Sequence, residues 1–182
     1  PANILEKIIA YEAVHEITSW DNLRARLAPE DRRCFAFFHP AMPDEPLIFV
    51  EVALTTDITQ RIDEVLALQR DVDAATSATT AVFYSISNCQ NGLAGISFGN
   101  FLIKRVARQL RSELPNLTRF VTLSPVPGLL KWLGQKHPDI AAEFIDISVP
   151  FWSEKAADLE PDFTRAALQY LTHSDRPDGL PN

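Results

Sequence analysis

The sequence predicts an α/β (α+β) chain, and three observations carry that prediction. Ala81–Ser87 is a short apolar run rich in β-branched and aromatic residues, the composition of a buried strand. Phe101, Leu102, Val106 and Leu110 then recur at helical spacing, with Lys104, Arg105, Arg108 and Arg111 on other faces. Pro115 ends that helix, and Phe120–Leu123 makes a second strand. Parallel strands need such a helical crossover, and ligands often lie beyond their C-terminal ends. Two segments sit at such ends here: a glycine-bearing loop over Asn88–Gly99, and Ser124.

In chain order, Asn3–Val14 reads as an amphipathic helix capped by Asn3, with Ile4, Leu5, Ile8, Ile9 and Tyr11 on one side. Ser19 or Asp21 is the cap of a second helix, from about Asn22 to Leu27, ending before Pro29. Cys34–His39 and Leu47–Leu54 read as paired strands around a turn containing Pro40, Pro43 and Pro46. Asp57 begins a helix through about Arg70, and Asp71–Thr80 is a surface connection. After the central strand, helix and strand, Gln135–Pro138 is a polar break and Asp139–Phe144 a helical turn. Pro150, Phe151 and Trp152 mark a kink, and Glu154–Leu171 reads as helix interrupted or restarted at Pro161. No internal repeat is present.

Composition narrows the function. With 182 residues, 46% of them hydrophobic, the chain can bury one substantial core. A net charge of −7 and a pI near 5.0 argue against a nucleic-acid partner. The cations at 104, 105, 108 and 111 are a local exception, either a solvated face or a contact for an anionic ligand. Two cysteines give neither a disulfide framework nor a metal pattern. Cys34 reads as core, and Cys89 as an accessible thiol that nothing marks as a nucleophile. No apolar run approaches the ~18 residues of a membrane span and no signal peptide is visible, so the expected location is the cytoplasm, with no membrane partner. His39, beside Pro40, reads as bonded to its own turn. Glu51 interrupts LIFVEVAL as either a surface group or a buried, paired carboxylate, and His15 and His137 read as structural or solvent-exposed.

The loop Asn88–Gly99 holds three of the six glycines. A helix N-terminus offers unpaired N–H groups and the positive end of a dipole, and glycine lets a backbone approach a ligand; together these suit a phosphate. No Gly-Lys-Ser/Thr follows, and Gly92, Gly95 and Gly99 lack the G-x-G-x-x-G spacing, so an ordinary strand–helix turn stays open as the other reading.

Longer stretches add a resemblance. FYSISNCQNGLAGISFGNFLIKRV and LPNLTRFVTLSPVPGLLKWL resemble the catalytic domain of the malonyl-CoA decarboxylase family. So do CFAFFHPAMPDEPLIFVEVALT (Cys34–Thr55) and EAVHEITSWDNLRARL (Glu12–Leu27). The resemblance implies a GNAT-like mixed sheet flanked by helices, partial in this chain and splayed to admit coenzyme A. It implies that Ser124 is the active-site serine, and that Ala94, Gly95, Ile96, Ser97, Phe98, Gly99 and Asn100 hold the CoA pyrophosphate. Gln90, Asn91 and Gly92 join them as a looser match. Ser97 is a departure, because some family members place a carboxylate there and a serine cannot act as a carboxylate base.

The family's reaction turns malonyl-CoA into acetyl-CoA and CO₂. Biotin, thiamine and metal are all unnecessary, because the thioester carbonyl accepts the electron pair. Residues 1–10 are then the end of a preceding helical region through which subunits associate as homo-oligomers. Residues 11–182 are the first part of the catalytic domain, incomplete at the C-terminus. A catalytic histidine and further strands are expected in a C-terminal segment beyond Asn182, and His173 lies before that point. The alternative is a catalytically inactive CoA-binding fragment or partner-binding module. An acyl-CoA N-acyltransferase fits less well, because TLSPVPG does not belong to its motif set.

Overall fold

A four-stranded mixed sheet organises the first of the two units into which the chain divides, Pro1–Pro125 and Val126–Asn182. The computed structural model describes residues 2–59, 61–72, 74–93, 96, 98–145 and 154–173. Among these, the sheet runs β1 (Arg32–His39), β2 (Met42–Thr55), β3 (Thr80–Asn88), β4 (Arg119–Thr122), in that spatial order. The first two pairings are antiparallel and β3–β4 is parallel. The helices are α1 (Ala2–Tyr11), α2 (Trp20–Leu27), α3 (Ile62–Leu66) and α4 (Phe98–Glu113), with 3₁₀ turns at Ala75–Ser77 and Asn91–Leu93. A mixed sheet flanked by helices is the fold class expected from the sequence.

Leu47–Leu54 reads as near-continuous apolar sequence because β2 is covered on both faces. Ile48, Val50, Val52 and Leu54 pack with Ala81 and Phe83 against Leu102, Val106 and Leu110 of α4. On the other face Phe49 meets Ile8, Ile17, Leu23 and Cys89, while Ala53, Val82 and Tyr84 meet Val65 of α3.

β3 departs from a regular central strand in two ways. Glu51 pairs with Ser85 but the next residue, Val52, pairs with Phe83, so Tyr84 is an inserted bulge residue. The bulge resets the alternation: Phe83 and Ile86 both pack on the α4 side, and Tyr84 packs on the opposite side. The parallel pairing with β4 covers only Thr80–Phe83, so Tyr84–Asn88 have no partner on the β4 side among the described residues, while Ser85–Asn88 keep β2 as their strand partner.

The element boundaries correct the sequence reading in several places. Asn3 lies inside α1 and does not cap it; the helix ends at Tyr11 because the Glu12 carboxylate takes up the N–H groups of Val14 and His15 and turns the chain. Ser19 does cap α2, its hydroxyl accepting from the Asn22 N–H at 3.2 Å. The helix expected from Asp57 to Arg70 shrinks to α3. Asp57 spends its carboxylate on the Ile58 N–H and on Arg119, and Arg70 reaches back to Asp31.

In the second unit, α5 (Leu129–Lys136), α6 (Pro138–Ile145) and α7 (Glu154–His173) bury Leu129, Leu133, Ala141 and Ala166 together. The sequence reading assigned no helix to Leu129–Lys136. Its polar break at Gln135–Pro138 is the end of α5 and the start of α6, with Pro138 in the first turn, where a missing N–H costs nothing. α7 runs through Pro161 without interruption, and Phe163, Ala166, Ala167 and Tyr170 hold one face of it in the core. The kink expected at 150–152 and the segment beyond 173 lie outside the described residues.

Candidate functional site

The last residue of β3 and the first turn of α4 bracket the glycine-bearing segment. Cys89 continues the sheet by one bond, donating its N–H to Leu47 O at 2.9 Å. A 3₁₀ turn follows over Asn91–Leu93, and Gln90 is pinned by its amide donating to Pro46 O at 3.1 Å. Phe98, Gly99 and Asn100 are helical, so they belong to the first turn of α4, where backbone N–H groups have no helical acceptor, although the N–H of Phe98 donates to Ile96 O at 2.8 Å. Ile96 is half exposed and its N–H closes a turn onto Leu93 O. Ala94, Gly95 and Ser97 lie outside the described residues.

Gly92 and Gly99 make no use of the conformational freedom that glycine offers. Neither has a positive φ, and a Cβ on Gly92 would meet open space. On Gly99 it would make ordinary contact with Ile86 at 3.5 Å. Among the described residues positive φ occurs at Gly128, in the second unit, where φ is 79° and an added Cβ would stand 2.8 Å from Tyr170 Oη.

Ser124 is exposed, two residues past the end of β4. Leu123 N–H donates to Phe83 O at 2.9 Å, the last bond between the two strands, and the chain then departs. Continuing that register puts Ser124 level with Ser85, and β3 runs three residues further to Asn88, about 10 Å at strand rise. The serine and the loop thus stand at two ends of one stretch of strand whose β4-side edge is unpaired among the described residues.

Behind that stretch lies a polar cluster that the sequence reading did not assemble. Ser85 Oγ donates to both carboxylate oxygens of Glu12, at 2.7 and 2.8 Å, and Ser87 Oγ lies 3.3 Å from the same group. Ala13 N–H donates to Ser87 Oγ at 3.2 Å. The α1–α2 connection is thereby fastened to the outer half of β3. Seventy-odd residues separate the partners, so no local pattern could reveal the pairing. Glu51, fully buried, is the paired carboxylate of the two options its sequence left open: Arg26 Nη1 donates to its Oε2 at 3.2 Å. Burial pushes the Glu51 carboxyl up to about 7, with Arg26 pulling the other way. Tyr84 approaches the Glu51 carboxyl without reaching ordinary hydrogen-bond geometry, which leaves Glu51 Oε1 and Tyr84 Oη without partners among the described residues. Burial raises the Tyr84 phenol and lowers the imidazole of His15, whose Nε2 is likewise buried without a partner among the described residues.

The remaining candidates resolve simply. His39 Nδ1 accepts from Ala41 N–H at 3.1 Å, the bond to its own turn that was expected. Cys89 is buried, not accessible, and burial raises its thiol to about 12, as it does for half-buried Cys34; neither is a ready thiolate. His137 packs against the ring of Trp132 at 5.2 Å. Among the described residues no helix is long and apolar enough to cross a membrane.

Residues 1–181 match the family model described as Malonyl-CoA decarboxylase C-terminal domain. Among curated proteins, mitochondrial malonyl-CoA decarboxylase of Anser anser anser is 46% identical over 138 residues, 73% of this chain and 27% of that protein. The Rattus norvegicus protein of the same name is 42% identical over 135 residues, again 73% and 27%. Among solved structures, malonyl-CoA decarboxylase from Rhodopseudomonas palustris covers all of this chain with 47% of its own length, at 52% identity and a TM-score of 0.86. That from Agrobacterium vitis gives the same coverage at 50% identity and a TM-score of 0.78. The chain therefore spans about a quarter of the length of these curated relatives and about half that of the solved ones.

Proposed function

The chain belongs to the malonyl-CoA decarboxylase C-terminal domain family, and on that footing we propose that the protein carrying it converts malonyl-CoA to acetyl-CoA and CO₂. The bond between the α-carbon and the carboxylate breaks, its electron pair enters the thioester carbonyl as an enolate, CO₂ departs, and the α-carbon then takes a proton. The thioester is itself the electron sink, so the proposal calls for no biotin, thiamine or metal. The protein has to hold the carboxylate out of the carbonyl plane, stabilise the enolate oxygen and deliver the proton.

The observation that best supports this reading is the β4-side edge of Tyr84–Asn88, unpaired among the described residues, with Ser124 near one end and the first turn of α4 past the other. In the proposal, 94–100, with Gln90, Asn91 and Gly92, receive the pyrophosphate, the extended arm of CoA lies along the open edge, and the malonyl group reaches Ser124. The Ser124 hydroxyl contacts the malonyl carboxylate or the thioester oxygen, or passes a proton with the acid–base histidine. That histidine is assigned to sequence outside this chain, as is the helical region of the homo-oligomer. Residues 1–10 are proposed as the end of that region and 11–182 as the first part of the catalytic domain. The cytoplasm is the proposed location, against curated relatives named as mitochondrial.

The test is acetyl-CoA and CO₂ formation from malonyl-CoA by the full-length protein, with and without Ser124→Ala. Loss of one oxyanion contact is worth about 10²–10³ in rate, so the variant should fall by that factor. Release of CoA that requires an amine acceptor, without CO₂, would overturn the reading in favour of an acyltransferase.

A further inference from the structure

The outward side of α4 carries four cations in a chain of net charge −7, and the decarboxylation reading gives them no task. Lys104, Arg105, Arg108 and Arg111 are exposed, and none of them enters an ion pair among the described residues. Arg111 is engaged differently from Arg105: its guanidinium lies 5.1 Å from the ring of Phe120, while that of Arg105 lies 5.6 Å from the ring of Phe37. Phe37 also meets Phe101 edge-to-face at 6.0 Å, and Phe101 is 47% exposed in the first turn of the helix. Between β1 and α4 runs a groove of about 220 Å³, lined by Phe35, Phe37, Leu102, Arg105, Val106 and Gln109. Whole-ligand pockets occupy about 300–1,000 Å³, so this groove suits one ring system rather than an entire cofactor-sized molecule.

We infer that the Phe37–Arg105 groove, with the exposed ring of Phe101 packed on Phe37 outside it and Lys104 and Arg108 on the same helix, takes the 3′-phosphoadenosine end of coenzyme A. The inference rests on the reading of the α4 N-terminus as the pyrophosphate site. Charge complementarity and continuity select this occupant. Phe101 stands one turn into α4 and Arg105 two, so an anion seated at the N-terminus has the aromatic and then the cation next along the same helix, within about 10 Å of axial rise. An adenine has a face for stacking on Phe101. A guanidinium held over a ring keeps its in-plane N–H fork free, and that fork matches a phosphate. Arg105 thus acts as a specificity residue that separates CoA from analogues lacking the 3′-phosphate.

Equilibrium binding of CoA, 3′-dephospho-CoA and 4′-phosphopantetheine to the full-length protein tests this. The parent should prefer CoA to 3′-dephospho-CoA. Arg105→Ala should weaken CoA about tenfold and erase that preference, leaving 4′-phosphopantetheine unchanged. Phe101→Ala should weaken both nucleotide ligands and spare phosphopantetheine. Arg111→Ala removes the same charge from the same helix and should change none of the three affinities. If Arg105→Ala retains the 3′-phosphate preference, or weakens phosphopantetheine as much as CoA, the subsite is wrong while the pyrophosphate site stands. If the parent binds none of the three, the pyrophosphate reading falls and the subsite with it.

Discussion

Removing the guanidinium of Arg26 would leave the Glu51 carboxyl without its hydrogen-bond partner among the described residues, in a position with no exposure to water. Breaking a buried pair from one side costs about 3–5 kcal/mol, so Arg26→Ala should lower the unfolding free energy by that order near pH 8, where Glu51 is charged. The pH dependence has a definite sign. Glu51 is raised from 4.5 to about 7 in the folded chain, so the folded state holds its proton more tightly than the unfolded state does. Its contribution to stability is full below pH 4.5 and is lost as pH rises toward 7. Denaturant titrations between those pH values should show a flatter profile for Glu51→Gln than for the parent. Equal slopes would mean that burial does not hold the proton. The ambiguity at Glu51 was legible in LIFVEVAL, but its resolution was not, because Arg26 is twenty-five residues away. His39 was legible in full, since its partner Ala41 is two residues on.

The same division between near and far governs the elements. The β3–α4–β4 crossover could be read because an apolar run, a helical period and a proline mark it locally, and α2 because Ser19 stands at its start. α3 is shorter than its sequence suggests, because Asp57 resembles a cap in sequence whereas its carboxylate is bound to Arg119 from another element. The bulge at Tyr84 left no trace in sequence, since it is a property of register between two strands. Nothing local announces α5, because Gly128 precedes it where a side-chain cap is usual. Two glycines at that helix should behave oppositely. Gly134 lies inside α5 with open space at its Cβ position, so Gly134→Ala should stabilise the chain by about 0.5–1 kcal/mol through helix propensity. Gly128→Ala should destabilise it by at least the ~1–2 kcal/mol of a left-handed residue with a Cβ. The added carbon would also press on Tyr170 Oη, which donates to Pro127 O at 2.7 Å. Thermal unfolding of both variants compares them directly, and a Gly128→Ala protein as stable as its parent would refute the strain.

Across the whole first unit, the sheet combines pairings of very different reach. β1 and β2 meet at His39 and Met42, joined by Pro40 and Ala41, whereas β3 and β4 pair residues thirty-nine apart, as Thr80 and Arg119 are. Loop-closure entropy makes the first pairing fast to form and the second slow. The short parallel ladder is therefore expected to assemble after the folding barrier is crossed. Refolding and unfolding rates of two variants measure this. Val50→Ala, fully buried in the hairpin, should chiefly slow refolding, and Val121→Ala, in β4, should chiefly speed unfolding. Similar φ-values at the two positions would place both pairings in one nucleus. With distinct values, the strand that ends beside Ser124 is the last of the sheet to dock and the first to leave. The edge beside Ser124 would then open and close far more often than the sheet as a whole unfolds.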